Sequence, residues 1–491
     1  MKLLKIVLFN NADSCASKAI SSHLFGAFCI LVATCGSAPL SASTIQQNSF
    51  KSKSPSTYQS LTDEHQRQDP YLKILPMRKR AAVVDELLRD KLDNTLPRLM
   101  RRTGIDLWVL TSREYNEDPV LRTMLPSSWI NARRQTILVL YDNGTTVERY
   151  AIARYAVGDL FQKAWDKEAN PDQWQALVAL IKSKQPKRIG INQSTHFALA
   201  DGITATEQAL LFKALPDDLS DKVVSAEKLA IAWLETRTEK EMPHYRHLTQ
   251  VGHKMIATAF SNKVVKPGVT TTDDVVWWLR EESRRLKMTN WFHPTVSIQR
   301  SDKTDFDQLK AFSDRPKGQV IMPGDLLHVD FGLTYLRLNS DQQQHAYVLR
   351  PGETEVPDYL IKALANGNRV QDIFTAEFQL GRTGNQILSI ARKKAINEGL
   401  KPTIYTHPIG YHGHAAGPTI GMWDNQGDTP VRGDYPLFSD TAYSIELNAA
   451  TYVEEWGKEI RIMLEEEAFF DGKSVTYLDG RQTALHTIYS K

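Results

Sequence analysis

The chain has 491 residues, a length that predicts two or three domains. Hydrophobic residues make up 42% and charged residues 24%, which is ordinary for a globular protein. The formal net charge is only +3, and no basic stripe with interleaved aromatic residues occurs along the chain. The composition therefore argues against a polyelectrolyte ligand, and we expect no nucleic-acid partner.

The first 42 residues have the pattern of a secretory signal. Lysines precede an apolar run at residues 24–33, and small residues follow up to Ala42. The run is about ten residues long, too short for a membrane span, which needs about 20. We therefore predict export, a periplasmic or secreted mature protein, and no integral membrane span. A retained leader is one alternative, and lipid anchoring at Cys35 is another, because V-A-T-C at 32–35 resembles a lipoprotein cleavage site.

All three cysteines, Cys15, Cys29 and Cys35, lie in this predicted signal. Cleavage after Ala42 leaves a mature chain without any cysteine. The mature protein then has no disulfide, no thiolate zinc site and no cysteine nucleophile.

The region up to residue 235 has no catalytic constellation. Residues 43–70 are polar and rich in Ser, Gln, Lys and Thr, which predicts a flexible segment. Residues 71–235 alternate helical and strand-like patterns, so we expect an α/β domain. The predicted elements are a helix at 78–100, a strand at 106–110, a hairpin at 136–153, a helix at 174–183 and a strand at 188–191.

A second domain is predicted over residues 236–491. Residues 236–263 read as one long helix, and Thr271 with Asp274 has the spacing of a capping box that begins a second helix. From Gly324 onward the pattern becomes strand-like, which indicates an α+β arrangement. All candidate functional residues lie in this part of the chain.

Two aspartates are placed to meet across a pair of strands. Residues 326–332 predict a strand that ends at glycine, and His328 and Asp330 share one face of it. Asp341 follows eleven residues after Asp330, which leaves room for a turn and a second antiparallel strand. Taken alone, an aspartate before Phe-Gly is usually a turn cap.

A histidine loop and two glutamates complete the candidate set. His414 lies in Y-H-G-H-A-A-G, where glycines allow close approach of the backbone, although such loops are also common on surfaces. Glu446 and Glu465 lie on apolar strands, where a carboxylate is costly unless it is paired or bound to metal. Glu465 begins a run of three glutamates, of which we expect one to point inward, and the sequence leaves open which one. Asp, Asp, His, Glu and Glu together form a ligand set for two divalent ions.

The order of these residues, the eleven-residue spacing and the His-x-x-Gly loop resemble the "pita-bread" metallopeptidases, in the branch of aminopeptidase P, prolidase and creatinase. The motifs of this resemblance cover roughly residues 236–475. It implies an α/β N-terminal domain followed by an α+β C-terminal pita-bread domain. It also implies a homodimer, since the family often dimerises through the N-terminal domain.

The resemblance implies roles for single residues. Asp330 would bind one metal ion, His414 and Glu446 the other, and Asp341 and Glu465 would bridge both. The ions would be two Mn²⁺, with Zn²⁺ or Co²⁺ as alternatives, and a hydroxide between them would attack the scissile carbonyl. Glu446 would also carry the proton to the leaving nitrogen.

The implied activity is hydrolysis of short peptides at Xaa-Pro bonds. Proline-selective members of the family use additional histidines that contact the substrate, and His407 and His412 are the candidates for this role here. One such histidine normally lies seven residues after the ligand histidine. Counted from His414, that position is Gly421.

Other positions also depart from the family pattern. His328 is the histidine offered just before Asp330, Leu447 replaces the usual proline, and Met463 replaces an arginine, with Arg461 displaced. These departures bear on proline specificity more than on metal binding. Two alternatives stay open: a metal-free, creatinase-like amidinohydrolase, and an inactive peptide- or partner-binding protein on the same scaffold.

Overall fold

The computed structural model describes residues 69–302 and 318–490. The predicted signal at 1–42 lies outside the described residues, as does nearly all of the predicted flexible segment at 43–70. Residues 66–491 form one compact unit by their internal contacts, so the domain boundary after residue 235 stays a prediction. Within the described residues, no helix combines the length and the apolar character needed to cross a membrane.

The helices lie in both halves of the described chain. In chain order they are α1 (Met77–Asp90), α2 (Leu96–Thr103), α3 (Pro119–Thr123), α4 (Gln173–Lys184), α5 (Ala205–Ala214), α6 (Asp217–Ser220), α7 (Glu227–Glu235), α8 (Glu241–Ala259), α9 (Thr272–Arg285), α10 (Asp358–Thr375) and α11 (Gly384–Asn397). A π-helical turn, Lys91–Thr95, joins α1 to α2. The helix predicted at 78–100 therefore exists as one nearly continuous helical run.

The strands form two large sheets and one small hairpin. In chain order they are β1 (Leu107–Arg113), β2 (Gln135–Asp142), β3 (Val147–Ile152), β4 (Gln162–Lys163), β5 (Ile189–Ile191), β6 (Val223–Ser225), β7 (Thr295–Gln299), β8 (Leu326–Phe331), β9 (Thr334–Tyr335), β10 (Leu338–Asn339), β11 (Gln342–Val348), β12 (Lys401–Ile404), β13 (His407–Pro408), β14 (Thr441–Val453), β15 (Lys458–Phe470), β16 (Val475–Tyr477) and β17 (His486–Ile488).

The first sheet has six strands in the order β4-β3-β2-β1-β5-β6. Strand β1 pairs antiparallel with β2 and parallel with β5, so the sheet is mixed. Alternate residues of β1 enter two different cores. Trp108 and Leu110 pack with residues of α2 and α7, whereas Leu107 and Val109 pack with residues of α4 and α5. Helices therefore cover both faces, as the α/β pattern of the sequence predicts.

The second sheet has nine strands, with a central order β12-β14-β15-β11-β8-β7. Strands β14 and β15 pair antiparallel along their whole length, from Thr441 opposite Phe470 to Val453 opposite Lys458. Strand β13 adds to β14, β16 adds to β15, and β17 adds to β11. With its flanking helices, this sheet confirms the predicted α+β character of the C-terminal half.

The nine-stranded sheet has one apolar and one polar face. Leu327, Val329 and Phe331 of β8 pack in a cluster with α8 and α9. Ile445 and Leu447 of β14 pack against α10 and α11. Because side chains alternate along a strand, the residues between them face away from these helices. The polar face therefore carries the residues that the sequence singles out.

Helix α8 is shorter than the predicted helix at 236–263. Thr236 forms a β-bridge with Thr441, and the backbone N–H of Arg237 donates to the carbonyl of Asp440 at 2.6 Å. The chain is therefore held in an extended form before the helix begins at Glu241. The capping box predicted for Thr271 and Asp274 is present at the start of α9.

The expectation that one of the three successive glutamates points inward is wrong. Glu465, Glu466 and Glu467 are exposed by 1%, 1% and 0%. All three are buried because both faces of β15 are covered. Glu465 and Glu467 lie on the polar face, whereas Glu466 points towards α8.

The carboxylate of Glu466 is held by a histidine of α8. His253 Nε2 lies 2.5 Å from Glu466 Oε2, and His253 Nδ1 lies 2.9 Å from Asp479 Oδ2. Both ring nitrogens donate, because an ionised carboxylate only accepts. Burial alone would lower the pKa of His253, but the two carboxylates raise it to about 10. The imidazolium thus neutralises a buried acid on the helix-covered side of the sheet.

This network predicts a pH dependence of stability. The folded-state pKa of His253 lies above its unfolded value of about 6.5, so its contribution is complete below pH 6.5 and is lost as the pH rises towards 10. We expect the free energy of unfolding of the metal-free protein to fall by roughly 2 kcal/mol or more over this range, measured by urea denaturation in chelator.

The variant His253→Gln should lack most of this decline. His247→Gln on the same helix is the control, because the pKa of His247 is lowered by burial and adds no loss above pH 7. An equal decline in the wild type and His253→Gln would show that other groups carry the effect.

Candidate metal centre

Four neighbouring strands place one polar residue each in a single row across the sheet. Gln343 of β11 lies opposite Asp330 of β8 on one side and opposite Glu465 of β15 on the other. Glu465 in turn lies opposite Glu446 of β14. Neighbouring strands are about 4.8 Å apart, so side chains in such a row contact each other directly. The register of the sheet therefore assembles the acids predicted from sequence.

His407 lies at the centre of three carboxylates. Its Nε2 atom is 3.9 Å from Asp341 Oδ2, 3.9 Å from Glu446 Oε2 and 3.6 Å from Glu465 Oε1. Its Nδ1 atom lies 2.9 Å from the carbonyl oxygen of Pro408, which can only accept, so Nδ1 carries the proton. The lone pair of Nε2 therefore faces the carboxylates.

The potential ligand atoms form three overlapping groups. Their atoms lie within 4.8 Å of one another in each of the sets Asp330–Asp341–Glu465, His407–Glu446–Glu465 and Asp341–His407–His414. Glu465 is common to the first two groups, and Asp341 is common to the first and third. This sharing is the arrangement expected where carboxylates bridge two adjacent cation sites.

The residues present fit a divalent cation. Asp341 Oδ1 and His407 Nε2 are buried and have no hydrogen-bond partner among the described residues. Burial and the nearby charges of Glu465, Asp330 and Glu446 raise the pKa of Asp341 well above its usual range. A cation between these groups would offset both the burial and the mutual repulsion. An oxygen-rich set with imidazole suits Mn²⁺, Zn²⁺ or Co²⁺.

The geometry favours His407 over His414 as the imidazole of this cluster. His407 faces three carboxylates, whereas His414 shares a group only with Asp341 and His407. The rings of the two histidines meet edge to face, with centroids 4.6 Å apart. This geometry supports an exchange of the two sequence-based roles, with His407 as ligand and His414 as substrate contact, and the exchange stays a proposal.

A sequence signal for this exchange exists. His407-Pro408-Ile409-Gly410 is also a His-x-x-Gly motif, like the one that begins at His414. Counted from His407, the position seven residues further is His414 rather than Gly421. Because the two motifs lie so close together, the sequence alone allows either His407 or His414 to be the ligand.

His412 is not brought to the cluster. It is absent from the ligand groups and from the described lining of the cavity beside them. Burial and the positive charges of Arg122 and Arg237 lower the pKa of His412 to about 4. His412 is therefore neutral and lies outside the described cluster and cavity lining, so its predicted substrate contact has no support in the structure.

Two residues that sequence reasoning missed contact the glutamates. Gln343 Nε2 donates to Glu446 Oε1 and to Glu465 Oε2, each at 2.6 Å. Ser444 Oγ donates to Glu465 Oε1, also at 2.6 Å. Glu467 lies two residues further along β15 and accepts a hydrogen bond from the backbone N–H of Asp341. The ligand carboxylates are therefore fixed by neighbours on the same face of the sheet.

The loop that carries His414 is packed on a tryptophan. The ring of Trp291 meets that of His414 edge to face at 5.2 Å, and its Nε1 donates to the carbonyl of Ser340 at 2.8 Å. A Cβ atom added at Gly413 or Gly332 would lie 2.3 Å from the indole. Only glycine fits at these two positions, so the indole holds both segments close to the cluster.

A cavity of about 480 Å³ opens above the cluster. Asp330, His407, His414 and Glu446 form its floor. Its walls come from residues 196–199 of the N-terminal half and from Tyr405, Thr406, Ala415, Ala416, Gly417, Thr419, Gly421, Met422, Trp423 and Arg432. The volume is within the range of small-ligand sites.

The exchanged histidines give a direct prediction. We expect His407→Ala to weaken Mn²⁺ binding by at least about 100-fold, because it removes a nitrogen that faces three carboxylates. His414→Ala should weaken it by less than about 10-fold, which is the low end of effects seen for residues next to a ligand shell. Isothermal titration calorimetry of both variants at one pH measures this difference.

His196→Ala serves as a control, because His196 lines the same cavity but belongs to none of the ligand groups within the described residues. Normal Mn²⁺ binding by His407→Ala together with its loss in His414→Ala would restore the assignment made from sequence.

Comparison with solved structures identifies the fold. The chain is similar to an X-Pro aminopeptidase from Thermotoga maritima MSB8, with 18% identity, a TM-score of 0.56, and coverage of 79% of this chain and 99% of that one. It is also similar to an Xaa-Pro dipeptidase from Bacillus anthracis, with 15% identity, a TM-score of 0.54, and coverage of 84% and 100%. A dipeptidase from Mycobacterium ulcerans has 18% identity, a TM-score of 0.54, and coverage of 83% and 99%.

At these identities the structural likeness shows the fold, and it confirms the predicted combination of an α/β N-terminal part with a C-terminal pita-bread part. No curated protein sequence matches the chain. Residues 243–463 match the sequence profile of metallopeptidase family M24. That region includes Asp330, Asp341, His407 and Glu446. Over residues 243–463, the chain is therefore similar to metallopeptidase family M24.

Proposed function

We propose that this protein is a peptidase that uses two divalent metal ions to cleave short peptides, with Xaa-Pro bonds as its substrates. The observation that carries the proposal is the convergence of Asp330, Asp341, His407, Glu446 and Glu465 in one cluster, of which Asp330, His407 and Glu446 line the cavity. The match of residues 243–463 to metallopeptidase family M24 supports metal-dependent peptide hydrolysis as the chemistry. Export through residues 1–42 and a homodimeric assembly stay predictions.

The three overlapping groups of potential ligand atoms suggest how the ions would be held. Asp330 would bind one ion, His407 and Glu446 the other, and Asp341 and Glu465 would contact both. Mn²⁺ suits this set best, because oxygen atoms predominate. When bound, such ions lower the pKa of a water molecule and polarise a carbonyl group.

Glu446 is the proposed proton carrier. Its carboxylate lines the cavity, and its side chain keeps 13% exposure, whereas that of Glu465 keeps 1%. It is therefore open to substrate as well as to the cluster. In this position it can take a proton from the attacking water and deliver it to the leaving nitrogen.

His414 is the proposed substrate-contacting histidine. It lines the cavity beside His407 and stands seven residues after it, where proline-selective relatives carry a substrate histidine. The exchange of the two histidines thus removes one of the departures from the family pattern. Two structurally similar proteins are named for their action on X-Pro or Xaa-Pro peptides, and the apolar wall at Phe197, Met422 and Trp423 suits a proline ring.

Arg432 supports a preference for peptides that end inside the cavity. It lines the cavity, is exposed, and forms no ion pair within the described residues. A guanidinium pairs bidentately with a carboxylate. A free C-terminal carboxylate of a short substrate is the group that matches it.

The first test measures metal and turnover together. Residues 43–491, soaked in Mn²⁺ and desalted, should retain close to two ions per chain by elemental analysis and should hydrolyse Xaa-Pro peptides faster than Xaa-Ala peptides. Asp341→Asn should lose bound metal and lower kcat/KM by at least about 100-fold, because Asp341 belongs to two ligand groups. The surface change Asp217→Asn is the control.

Normal turnover in Asp341→Asn would overturn the site. A folded wild type that binds no metal would instead favour the creatinase-like or binding-only alternatives.

The second test concerns Arg432. We expect Arg432→Met to raise KM for free-acid dipeptides and tripeptides about 10- to 100-fold, the value of a charge-assisted hydrogen bond. KM for the same peptides with an amidated C-terminus should change less than about 3-fold. Steady-state kinetics on both series provides the comparison, with Arg78→Met on the exposed face of α1 as the control. Equal effects on acids and amides would exclude carboxylate recognition by Arg432.

A further inference from the structure

Gln343 joins the two halves of the proposed metal centre through one amide group. Its Nε2 lies 2.6 Å from Glu446 Oε1 and 2.6 Å from Glu465 Oε2. Its Oε1 lies 2.8 Å from His328 Nε2. The side chain is 2% exposed, so all of its hydrogen-bonding groups face protein atoms.

The chemistry of the partners fixes the orientation of this amide. Both glutamates accept hydrogen bonds when ionised, so the NH₂ group of Gln343 must face them. Its oxygen then accepts from His328, which carries a proton on Nε2. The other ring nitrogen, Nδ1, lies 3.4 Å from Ser297 Oγ. The imidazole of His328 thus holds the oxygen end of the amide, whereas the two glutamates bind its nitrogen end.

Gln343 bonds only one oxygen of each glutamate. It bonds Glu446 Oε1 and Glu465 Oε2. The remaining atoms, Glu446 Oε2 and Glu465 Oε1, face His407 Nε2 at 3.9 and 3.6 Å. The two hydrogen bonds therefore set the planes of both carboxylates relative to the imidazole.

Few side chains could donate hydrogen bonds to both glutamates without repelling a nearby cation. A lysine or an arginine would bind both carboxylates but would repel a divalent ion nearby. A serine or threonine hydroxyl has one hydrogen and cannot donate to both. A primary amide supplies two hydrogens and no net charge.

We propose that Gln343 is a positioning residue that holds Glu446 and Glu465 in the orientation needed for cation binding and thereby sets the affinity of the site for divalent metal. This inference rests on the proposed function. It concerns a residue between the ligands and adds no ligand to the set.

The neighbouring residue offers a matched control. Gln344 Nε2 donates to Glu466 Oε1 at 2.8 Å, and Gln344 Oε1 accepts from His486 Nε2 at 2.8 Å. This is the same carboxylate–amide–imidazole arrangement on the opposite face of the sheet. Glu466 belongs to none of the ligand groups within the described residues.

The test compares Gln343→Met and Gln344→Met with the wild type. Methionine keeps nearly the length of glutamine and removes its hydrogen bonds. We expect Gln343→Met to weaken Mn²⁺ binding about 10- to 100-fold by isothermal titration calorimetry, the effect of removing a residue that orients a ligand. Gln344→Met should change the affinity by less than about 3-fold, although it too removes two buried hydrogen bonds.

A second readout separates positioning from loss of stability. The melting temperature of each protein is measured in chelator and at one fixed, sub-saturating Mn²⁺ concentration. Positioning by Gln343 predicts a smaller Mn²⁺-induced rise at a fixed sub-saturating Mn²⁺ concentration for Gln343→Met only. If both variants melt earlier in chelator and bind Mn²⁺ like the wild type, the proposal is wrong.

If Gln343→Met does not fold, His328→Met provides the second variant, because it removes the anchor of the amide and keeps the amide itself. We expect about 3- to 10-fold weaker Mn²⁺ binding from it, and unchanged binding would count against the proposal. A wild type that binds no Mn²⁺ would refute the proposed metallopeptidase function, which is a different outcome from equal binding by wild type and variant.

Discussion

The strand register of the nine-stranded sheet is the constraint on which the site depends. Asp330, Gln343, Glu465 and Glu446 lie in one row because β8, β11, β15 and β14 pair in a single alignment. Side chains alternate with a period of two, so a slip of one residue in any strand would turn its polar residue towards α8–α11 and an apolar one towards the cavity. The apolar packing of the helix-covered face therefore also fixes the chemistry of the opposite face.

Charge balance across the sheet follows from the same alternation. The three glutamates of β15 are all buried and divide between the faces. Glu466 is neutralised on the helix side by His253, whereas Glu465 lies among other acids on the cavity side. Each buried carboxylate requires its own compensation. On the helix-covered face, His253 supplies the positive charge that compensates Glu466. On the cavity face, the arrangement of acids around Glu465 suits divalent cations.

Much of the architecture follows from local sequence patterns. The strand at Asp330, the hairpin of β2 and β3, the capping box at Thr271 and the aspartate spacing all depend on residues close together in the chain. The choice between His407 and His414 does not, because the His-x-x-Gly motif occurs twice within eight positions. Only the pairing of β13 with β14, which puts His407 opposite Ser444, places one of them among the acids.

Burial of the glutamate run and the role of Gln343 were beyond sequence reasoning for a similar reason. Both depend on which strands become neighbours, and β11 and β15 are separated by more than a hundred residues. The late start of α8 has the same origin, since Thr236 is held by Thr441 far along the chain. In each case a tertiary contact overrides the local pattern.

Residues 196–199 belong to the N-terminal half but form one wall of the cavity whose floor is built by the C-terminal half. The residues of the cavity floor and those of this wall thus come from distant parts of the chain. Substitutions in this short wall segment would change the shape of the cavity while the residues of its floor stay the same. For protein engineering, this makes the segment a natural place to diversify.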